Sequence, residues 1–339
     1  MYTRRKFIGT SVLGGMGVSL AGNSALYARS LPGDGKRIGI IGLDTSHSIA
    51  FTKEFNKPDA GPELGGYRIV AAYPHGSREI ESSYKRIPGY TEEVQKYGVR
   101  IAGSIAELLK ETDVILLETN DGRLHAQQAM EVLQAGKMMF IDKPMTASLK
   151  DALMIFDEAE KRKVPLFSCS SLRFMESAQV VAHGQSGKVY GASVHSPATL
   201  EKTHPDLFWY GIHGVETLFT VMGAGCKSVT RYSSEGTDLV VGVWNDNRFG
   251  TFRGIREGKA DYGGMVYTEK GNVILGPFGG YKPLMLEIVK FFQTGIPPVS
   301  KEETLDILAF MEAADESKNS GGKSVDMEKI YKKAGLKKQ

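Results

Sequence analysis

The sequence is poor in the residues that mark several common classes of protein. It has two cysteines in 339 residues, Cys169 and Cys226, and their spacing matches neither a metal site nor a redox motif. It has no lysine-rich tract, and the formal net charge is only +3, which argues against a nucleic-acid partner. Internal repeats and low-complexity segments are also lacking. These absences favour an ordinary globular protein with two buried thiols, long enough for two domains.

Residues 1–34 differ from the rest of the chain. Arg4 and Arg5 precede an apolar, glycine-rich run without charges at residues 8–21, which resembles a twin-arginine export signal. The run is too short for a membrane-spanning helix, and no cysteine follows it, which excludes a lipoprotein anchor. We therefore expect export of the folded protein to the periplasm and no stable membrane insertion of the mature chain.

Strands alternate with helices over residues 35–170. Apolar strands are predicted at residues 37–41, 67–73, 113–118, 138–141 and 164–168. Capping-box patterns start helices at Ser104 and Ser148, and Gly136 ends another helix. This alternation predicts a doubly wound parallel sheet, in which ligands bind beyond the carboxyl ends of the strands.

One strand of this domain runs straight into a lysine. Residues 138–141 are followed by Asp142, Lys143 and Pro144, and from these residues alone Lys143 is either a solvated turn residue or a group placed for chemistry. The order of strand, acid, Lys, Pro and amphipathic helix resembles the Glu-Lys-Pro signature of the glucose–fructose oxidoreductase/inositol dehydrogenase family (Gfo/Idh/MocA), with Asp142 in place of Glu. The resemblance implies a Rossmann domain with a catalytic Lys143 and bound NAD or NADP.

The loop after the first strand departs from the glycine pattern of that family. Gly42 is kept, but Asp44 and His47 replace the second and third glycines of Gly-x-Gly-x-x-Gly. Asp44 adds a negative charge where the pyrophosphate approaches, whereas Thr45 and Ser46 offer hydroxyls at a helix N-terminus. The resemblance implies that this loop binds the cofactor, and export to a compartment without a pool of free nicotinamide predicts that the cofactor is held tightly. From the residues alone, Asp44 could instead cap the helix over an empty site.

Two further positions depart from the family pattern. Pro74 stands where an acid would hold the adenosine ribose, so the choice between NAD, NADP and neither stays open. After the third strand, Asn120 stands in the segment that replaces the family's Thr-Pro ahead of His125. The resemblance implies that Asn120, His125 and Asp142 border the cofactor. For Asn120 and its neighbours Glu118 and Asp121, a polar strand end that caps its helix is an equally good explanation.

From residue 171 the pattern changes to short alternating strands. They are predicted at residues 189–194, 228–232, 239–244, 249–255, 264–268 and 272–275, with a helix at residues 212–222. This spacing predicts an α+β domain over residues 171–339 with a large, mostly antiparallel sheet. The resemblance implies that a closing pair of helices packs back on the first domain and that the sheet forms a homodimer or homotetramer.

The helix at residues 212–222 carries the second group of candidate residues. Against the family pattern Asp-x-Gly-x-His-x-x-Asp, the chain keeps His213, has Glu216 for the last acid and has Trp209 for the first. A lone helical histidine is usually structural, but histidine is the natural proton carrier near neutral pH. The resemblance implies that His213 is catalytic and that Glu216 orients it. It also implies that Arg173, Trp209 and Tyr210 shape the substrate site.

Together these features predict an exported NAD(P)-dependent oxidoreductase that acts on a hydroxyl of a sugar, cyclitol or glycoside, with catalytic Lys143 and His213 and no metal. Two alternatives stay open. One is a redox-neutral lyase, hydrolase or epimerase that uses tightly bound NAD for transient oxidation. The other is a sugar-binding protein that has lost the cofactor, as Asp44 and Pro74 could indicate.

Overall fold

The first of two sheets is the doubly wound parallel sheet that the sequence predicts. The structure is a computed structural model that describes residues 36–336; residues 1–35, which include the whole predicted export signal, and residues 337–339 lie outside the described residues. The six strands lie in the order β3-β2-β1-β4-β5-β6. They are β1 (Arg37–Ile41), β2 (Arg68–Tyr73), β3 (Arg100–Ile101), β4 (Val114–Leu117), β5 (Met139–Ile141) and β6 (Leu166–Ser168). All the pairings in this sheet are parallel.

Helices cover both faces of this sheet. They are α1 (Ser46–Asn56), α2 (Glu81–Tyr84), α3 (Ile87–Gln95), α4 (Ile105–Glu111), α5 (Gly122–Gln134) and α6 (Leu149–Arg162). Ile38 and Ile40 of β1 point into one apolar cluster with Phe51 of α1, whereas Ile41 and Leu117 belong to the opposite cluster. Such two-sided burial explains why these strands read as continuous apolar runs.

The second sheet is larger and mostly antiparallel, which confirms the predicted fold class. Its seven strands lie in the order β12-β11-β7-β10-β9-β8-β13, and β7 pairs with β10 in parallel. They are β7 (Val189–Pro197), β8 (Cys226–Ser233), β9 (Thr237–Trp244), β10 (Phe249–Ile255), β11 (Gly263–Thr268), β12 (Gly271–Leu275) and β13 (Val325–Asp326). Alternate residues of β9 are buried, so one face of the sheet packs on helices.

The helices of the second half connect the two sheets. They are α7 (Glu176–Ala182), α8 (Asp206–Trp209), α9 (Ile212–Met222), α10 (Lys282–Thr294), α11 (Lys301–Asn319) and α12 (Met327–Ala334). Every residue of α9 is buried, as expected of a helix enclosed on all sides. Phe291 of α10 meets Phe167 of β6 with ring centroids 4.8 Å apart, and Glu312 of α11 accepts a 2.7 Å hydrogen bond from the first backbone N–H of α6.

The structure adds elements that the sequence reading omitted. The short edge strand β3 and the helices α2 and α3 were not predicted, and the chain ends in three helices rather than in the expected pair. Two-residue strands and single-turn helices carry too few residues for a periodic pattern. Among residues 36–336, no helix has the length and apolar character needed to cross a membrane.

Candidate functional site

A cleft of about 290 Å³ lies at the carboxyl edge of the parallel sheet and extends to α9. It brings together predicted residues from both halves of the chain: Thr45, Ser46, His47, Asn120, Lys143, Trp209, Tyr210 and His213. The cleft is also lined by residues that the sequence reading did not select: Ser82, Arg86, Ser171, Leu172, Thr199, Tyr262, Phe278 and Tyr281. These come from loops and short helices whose sequence carries no motif. Their role follows from the fold alone.

The first loop residue is a glycine because the chain passes very close to β4. Gly42 has a φ of +93°, and a Cβ at this position would lie 2.5 Å from backbone atoms of Thr119. Its N–H donates to the carbonyl of Tyr73 at the end of β2. Gly42 therefore holds the ends of three neighbouring strands together, which agrees with its assignment to the tight turn of a Rossmann loop.

Asp44 fills the space next to this turn. It is fully buried, and its carboxylate accepts hydrogen bonds from the backbone N–H of Asn120 at 3.0 Å and of Ser77 at 3.3 Å. Burial raises the pKa of Asp44 from 3.8 to about 6, against the lowering effect of these two bonds. A Cβ on Gly76 would overlap the carboxylate. The side chain thus links the loops after β1, β2 and β4, and Thr45 rather than Asp44 caps α1.

His47 and Asp142 meet beneath the cleft. His47 Nδ1 lies 2.9 Å from Asp142 Oδ2 and 4.0 Å from Glu118 Oε2, and its ring packs against Tyr281 with centroids 4.6 Å apart. Burial raises the pKa of Glu118 well above its usual range, and the nearby charge of Asp142 adds to this shift. Burial acts in the same direction on Asp142, but the charges of His47 and Lys143 outweigh it and lower the pKa of Asp142.

Lys143 and His213 line the same cleft from opposite halves of the chain. Lys143 Nζ lies 3.7 Å from Asp142 Oδ2, and its side chain is 9% exposed. His213 Nδ1 lies 2.7 Å from Ser170 Oγ, which leaves Nε2 for the cleft. Burial lowers the pKa of His213 well below 6.5, and the charge of Lys143 lowers it further. A neutral imidazole beside an ammonium group can accept a proton from a hydroxyl whose oxygen the ammonium stabilises.

Aromatic side chains form one wall of the cleft around His213. Tyr210 and Tyr262 contact the edge of its ring at centroid distances of 5.1 and 5.8 Å, and Tyr262 Oη donates to Tyr210 Oη at 3.1 Å. Trp209 packs on His204 at the same end, with ring centroids 5.1 Å apart. Trp209 and Tyr210, which the resemblance implies as substrate contacts, both line the cleft. Rings with adjacent hydroxyls suit the alternating C–H and O–H surface of a polyol.

The structure corrects the roles expected for Glu216 and Arg173. Glu216 does not orient His213, because its Oε1 accepts a 2.6 Å bond from Arg173 Nε, and a hydroxyl from Ser170 takes the place next to the imidazole. Arg173 also binds Glu303 of α11 at 2.6 Å. It is buried between two carboxylates and does not line the cleft. This ion pair network joins three elements and gives Arg173 and Glu216 a structural role.

His125 and Asn120 differ in how they meet the cleft. His125 is fully buried below it: Nε2 lies 2.6 Å from the carbonyl oxygen of Thr119, and Nδ1 lies 3.0 Å from those of Pro144 and Met145. It joins the ends of β4 and β5 and is not in position to touch a cofactor. Asn120 does line the cleft, and its amide donates to Ser83 Oγ at 3.0 Å.

The N-terminus of α1 is the part of the cleft that fits a dinucleotide. Thr45 and Ser46 place two hydroxyls there, and free N–H groups at a helix start attract phosphate. Asp44 accepts from the amides of Ser77 and Asn120 and adds a buried carboxylate next to this position. Arg86 supplies a cation on the same cleft. The residues present therefore fit a pyrophosphate at α1 and a nicotinamide near Lys143.

The first domain matches a known family. Residues 36–169 match the model described as an oxidoreductase family with an NAD-binding Rossmann fold (Gfo/Idh/MocA). No curated protein matches the chain. The match covers the parallel sheet and its helices and agrees with the resemblance found in the sequence.

Several solved structures share the fold of the whole described chain at low sequence identity. The WlbA dehydrogenase of Bordetella pertussis, in complex with NADH and UDP-GlcNAcA, has a TM-score of 0.68 at 19% identity and covers 86% of this chain and 98% of its own. A Thermotoga maritima protein named as a probable dehydrogenase scores 0.66 at 20% identity, covering 87% and 99%. An Agrobacterium radiobacter oxidoreductase with NAD+, L-tartaric acid and magnesium scores 0.66 at 16% identity, covering 87% and 99%.

Proposed function

We propose, from the premise that residues 36–169 form the NAD-binding Rossmann domain of an oxidoreductase family, that this protein oxidises a hydroxyl of a sugar, cyclitol or glycoside. The observation that carries the proposal is that Lys143 of the first domain and His213 of the second line one cleft. Bound NAD or NADP would supply the hydride acceptor. The proton of the hydroxyl is then the part of the reaction left to the protein.

We assign separate tasks to the two residues from their surroundings. His213 is neutral because its pKa is lowered by burial, so Nε2 can accept the hydroxyl proton when Nδ1 carries the hydrogen toward Ser170 Oγ. Lys143 supplies a positive charge beside the developing alkoxide. The paired phenols of Tyr210 and Tyr262 offer further polar contacts to a substrate with several hydroxyls.

Turnover with a panel of sugars and cyclitols tests this function. The purified mature chain is given NAD+ or NADP+ with each compound, and reduced nicotinamide is followed by absorbance. We expect reduction with at least one polyhydroxylated compound and its loss in Lys143→Ala. Bound nucleotide without any reduction, but with a rearranged or cleaved sugar, would favour the redox-neutral alternative. If the purified protein binds sugar but neither carries nor takes up a nucleotide, the result would favour the sugar-binding alternative. The buried carboxylate of Asp44 supports that alternative.

We further propose that the protein works in the periplasm and as a homo-oligomer. Export rests on Arg4, Arg5 and the apolar run that follows them. Oligomer formation is supported by large side chains on the outer face of the second sheet: Phe249, Tyr267 and Ile274 are 60%, 42% and 72% exposed. Contiguous apolar surface of this kind is typical of contact sites. Sedimentation of the mature chain should give a dimer or tetramer, and a monomer at micromolar concentration would exclude this part of the proposal.

A further inference from the structure

Three buried side chains meet at the floor of the cleft. His47 comes from the start of α1, Glu118 follows β4 and Asp142 follows β5. One ligand atom of each lies within 4.8 Å of the others. The residues are far apart in sequence, and two of them, His47 and Asp142, stand where the sequence departs from the motifs it otherwise resembles. The fold therefore brings three potential metal ligands together at one buried point, although the sequence does not place them near one another.

The carboxylates of this cluster receive few hydrogen bonds. Both oxygens of Glu118 are buried and have no hydrogen-bond partner. Asp142 Oδ2 lies 2.9 Å from His47 Nδ1, in a close contact that lacks the geometry of a normal hydrogen bond. A buried carboxylate normally receives several hydrogen bonds or a cation. Lys143 is 3.7 Å from Asp142 and can offset one of the two acids. Glu118 is fully buried, and its nearest ion-pair partner among the described residues is His47, at 4.0 Å.

The distances from His47 to the two carboxylates suit the coordination sphere of a small cation. Two ligands that each lie about 2.1 Å from one ion are separated by at most about 4.2 Å. The observed separations of 2.9 Å from His47 Nδ1 to Asp142 and 4.0 Å to Glu118 fall within this limit. One imidazole with two carboxylates suits zinc, manganese or ferrous iron rather than magnesium or calcium, which prefer oxygen ligands alone.

We propose that His47, Glu118 and Asp142 bind one divalent transition-metal ion, zinc or manganese, at the floor of the cleft. Three protein ligands leave at least one coordination position open, as in catalytic rather than structural metal sites. Because His47 lines the cleft, the open position faces the space next to Lys143. An ion there would bind hydroxyl or carboxylate oxygens of a ligand in the cleft. Neither the binding of the ion nor its test depends on nicotinamide chemistry.

Metal binding to the mature chain tests the proposal without any substrate. The protein is stripped with a chelator and titrated calorimetrically with Zn²⁺ and, separately, with Mn²⁺, and melting is followed with and without each ion. We expect one equivalent of one ion to bind with micromolar affinity or tighter and to raise the melting temperature. X-ray absorption of the bound ion should show one imidazole and otherwise oxygen ligands.

Two variants and a control assign the site. Glu118→Gln keeps the size of the side chain and should weaken binding more than about tenfold, because even the partners of metal ligands contribute that much. His47→Asn should weaken metal binding to a similar extent, and it replaces Glu118→Gln as the test variant if Glu118→Gln does not fold. Glu79→Gln makes the same chemical change on an exposed residue and should bind as the wild type does. The proposal would be overturned if the wild type bound no stoichiometric metal, which would mean that protons alone neutralise the cluster. It would also be overturned if both site variants bound the metal as tightly as the wild type does.

Discussion

Replacing Asp44 by asparagine should shift the difference in stability progressively in favour of the variant as the pH rises from 4 to 7. Asp44 lies at the second glycine position of the phosphate loop and is fully buried. Burial raises its pKa from 3.8 to about 6. Because the folded state holds the proton more tightly than the unfolded state, ionisation of Asp44 favours unfolding, and this cost appears above pH 4 and is complete above pH 6.

The size of the effect follows from the shift. About 2 pKa units at about 1.4 kcal/mol each give a cost of roughly 3 kcal/mol at neutral pH. Asparagine does not titrate and escapes this cost. It also turns an N–H toward one of the two amides, Ser77 or Asn120, that now donate to Asp44. That mismatch destabilises the variant by an amount that does not depend on pH. The prediction therefore concerns how the difference in the free energy of unfolding changes with pH.

Urea unfolding of both proteins between pH 4 and pH 7 measures this difference. It should grow by about 3 kcal/mol in favour of Asp44→Asn, whereas Asp59→Asn, on an exposed residue, should stay within about 0.5 kcal/mol of wild type throughout. The carbon resonance of the Asp44 carboxyl group should titrate near pH 6. A constant difference in stability together with titration near pH 4 would refute the conclusion that burial raises the pKa of Asp44 at the cost of stability.

Three other changes test the remaining roles. Lys143→Ala and His213→Ala should each lower turnover by about two to four orders of magnitude, and the double variant should be little worse than the poorer single one; additive losses would mean that they serve separate steps. Glu216→Gln should lower the free energy of unfolding by about 2 to 3 kcal/mol, because it weakens a buried ion pair. The folded fraction of this variant should keep its activity, and a loss of kcat in folded protein would indicate that Glu216 acts at the cleft. Changing Arg4 and Arg5 to lysine should leave folded precursor in the cytoplasm, and normal accumulation in the periplasm would remove the export proposal.

Motif and periodicity were enough to predict the fold class. The strands at residues 37–41 and 138–141 are short apolar runs that can only be buried on both faces, and alternation with capped helices indicates a parallel sheet. The edge strand β3 and helices α2 and α3 were missed, because elements of a few residues form through tertiary contacts rather than through local pattern. Helix α9 was predicted at its observed bounds, although His213, Glu216 and Thr217 interrupt its apolar residues.

Sequence motifs indicated which residues line the cleft, but they did not indicate which side chains pair with one another. Lys143 and His213 reach the cleft because a strand end and a helix in a known pattern place them. Glu216 was expected beside His213. A carboxylate binds a charged guanidinium more strongly than a neutral imidazole, so Glu216 pairs with the buried Arg173 instead. Likewise, no sequence spacing indicates that His47, Glu118 and Asp142 would meet, since their approach depends on how three strand ends align.

Transfer of deuterium from substrate carbon to nicotinamide tests the central claim most directly. A hydroxyl compound that supports turnover is labelled at the carbon that bears the hydroxyl, and the protein is incubated with it and NAD+ or NADP+. Mass spectrometry of the nucleotide should show reduced cofactor carrying one deuterium, together with an equal amount of the ketone, and neither product in Lys143→Ala. Turnover of the labelled compound with the deuterium lost to water, or with no deuterium ever found on the nucleotide, would contradict hydride transfer in this cleft.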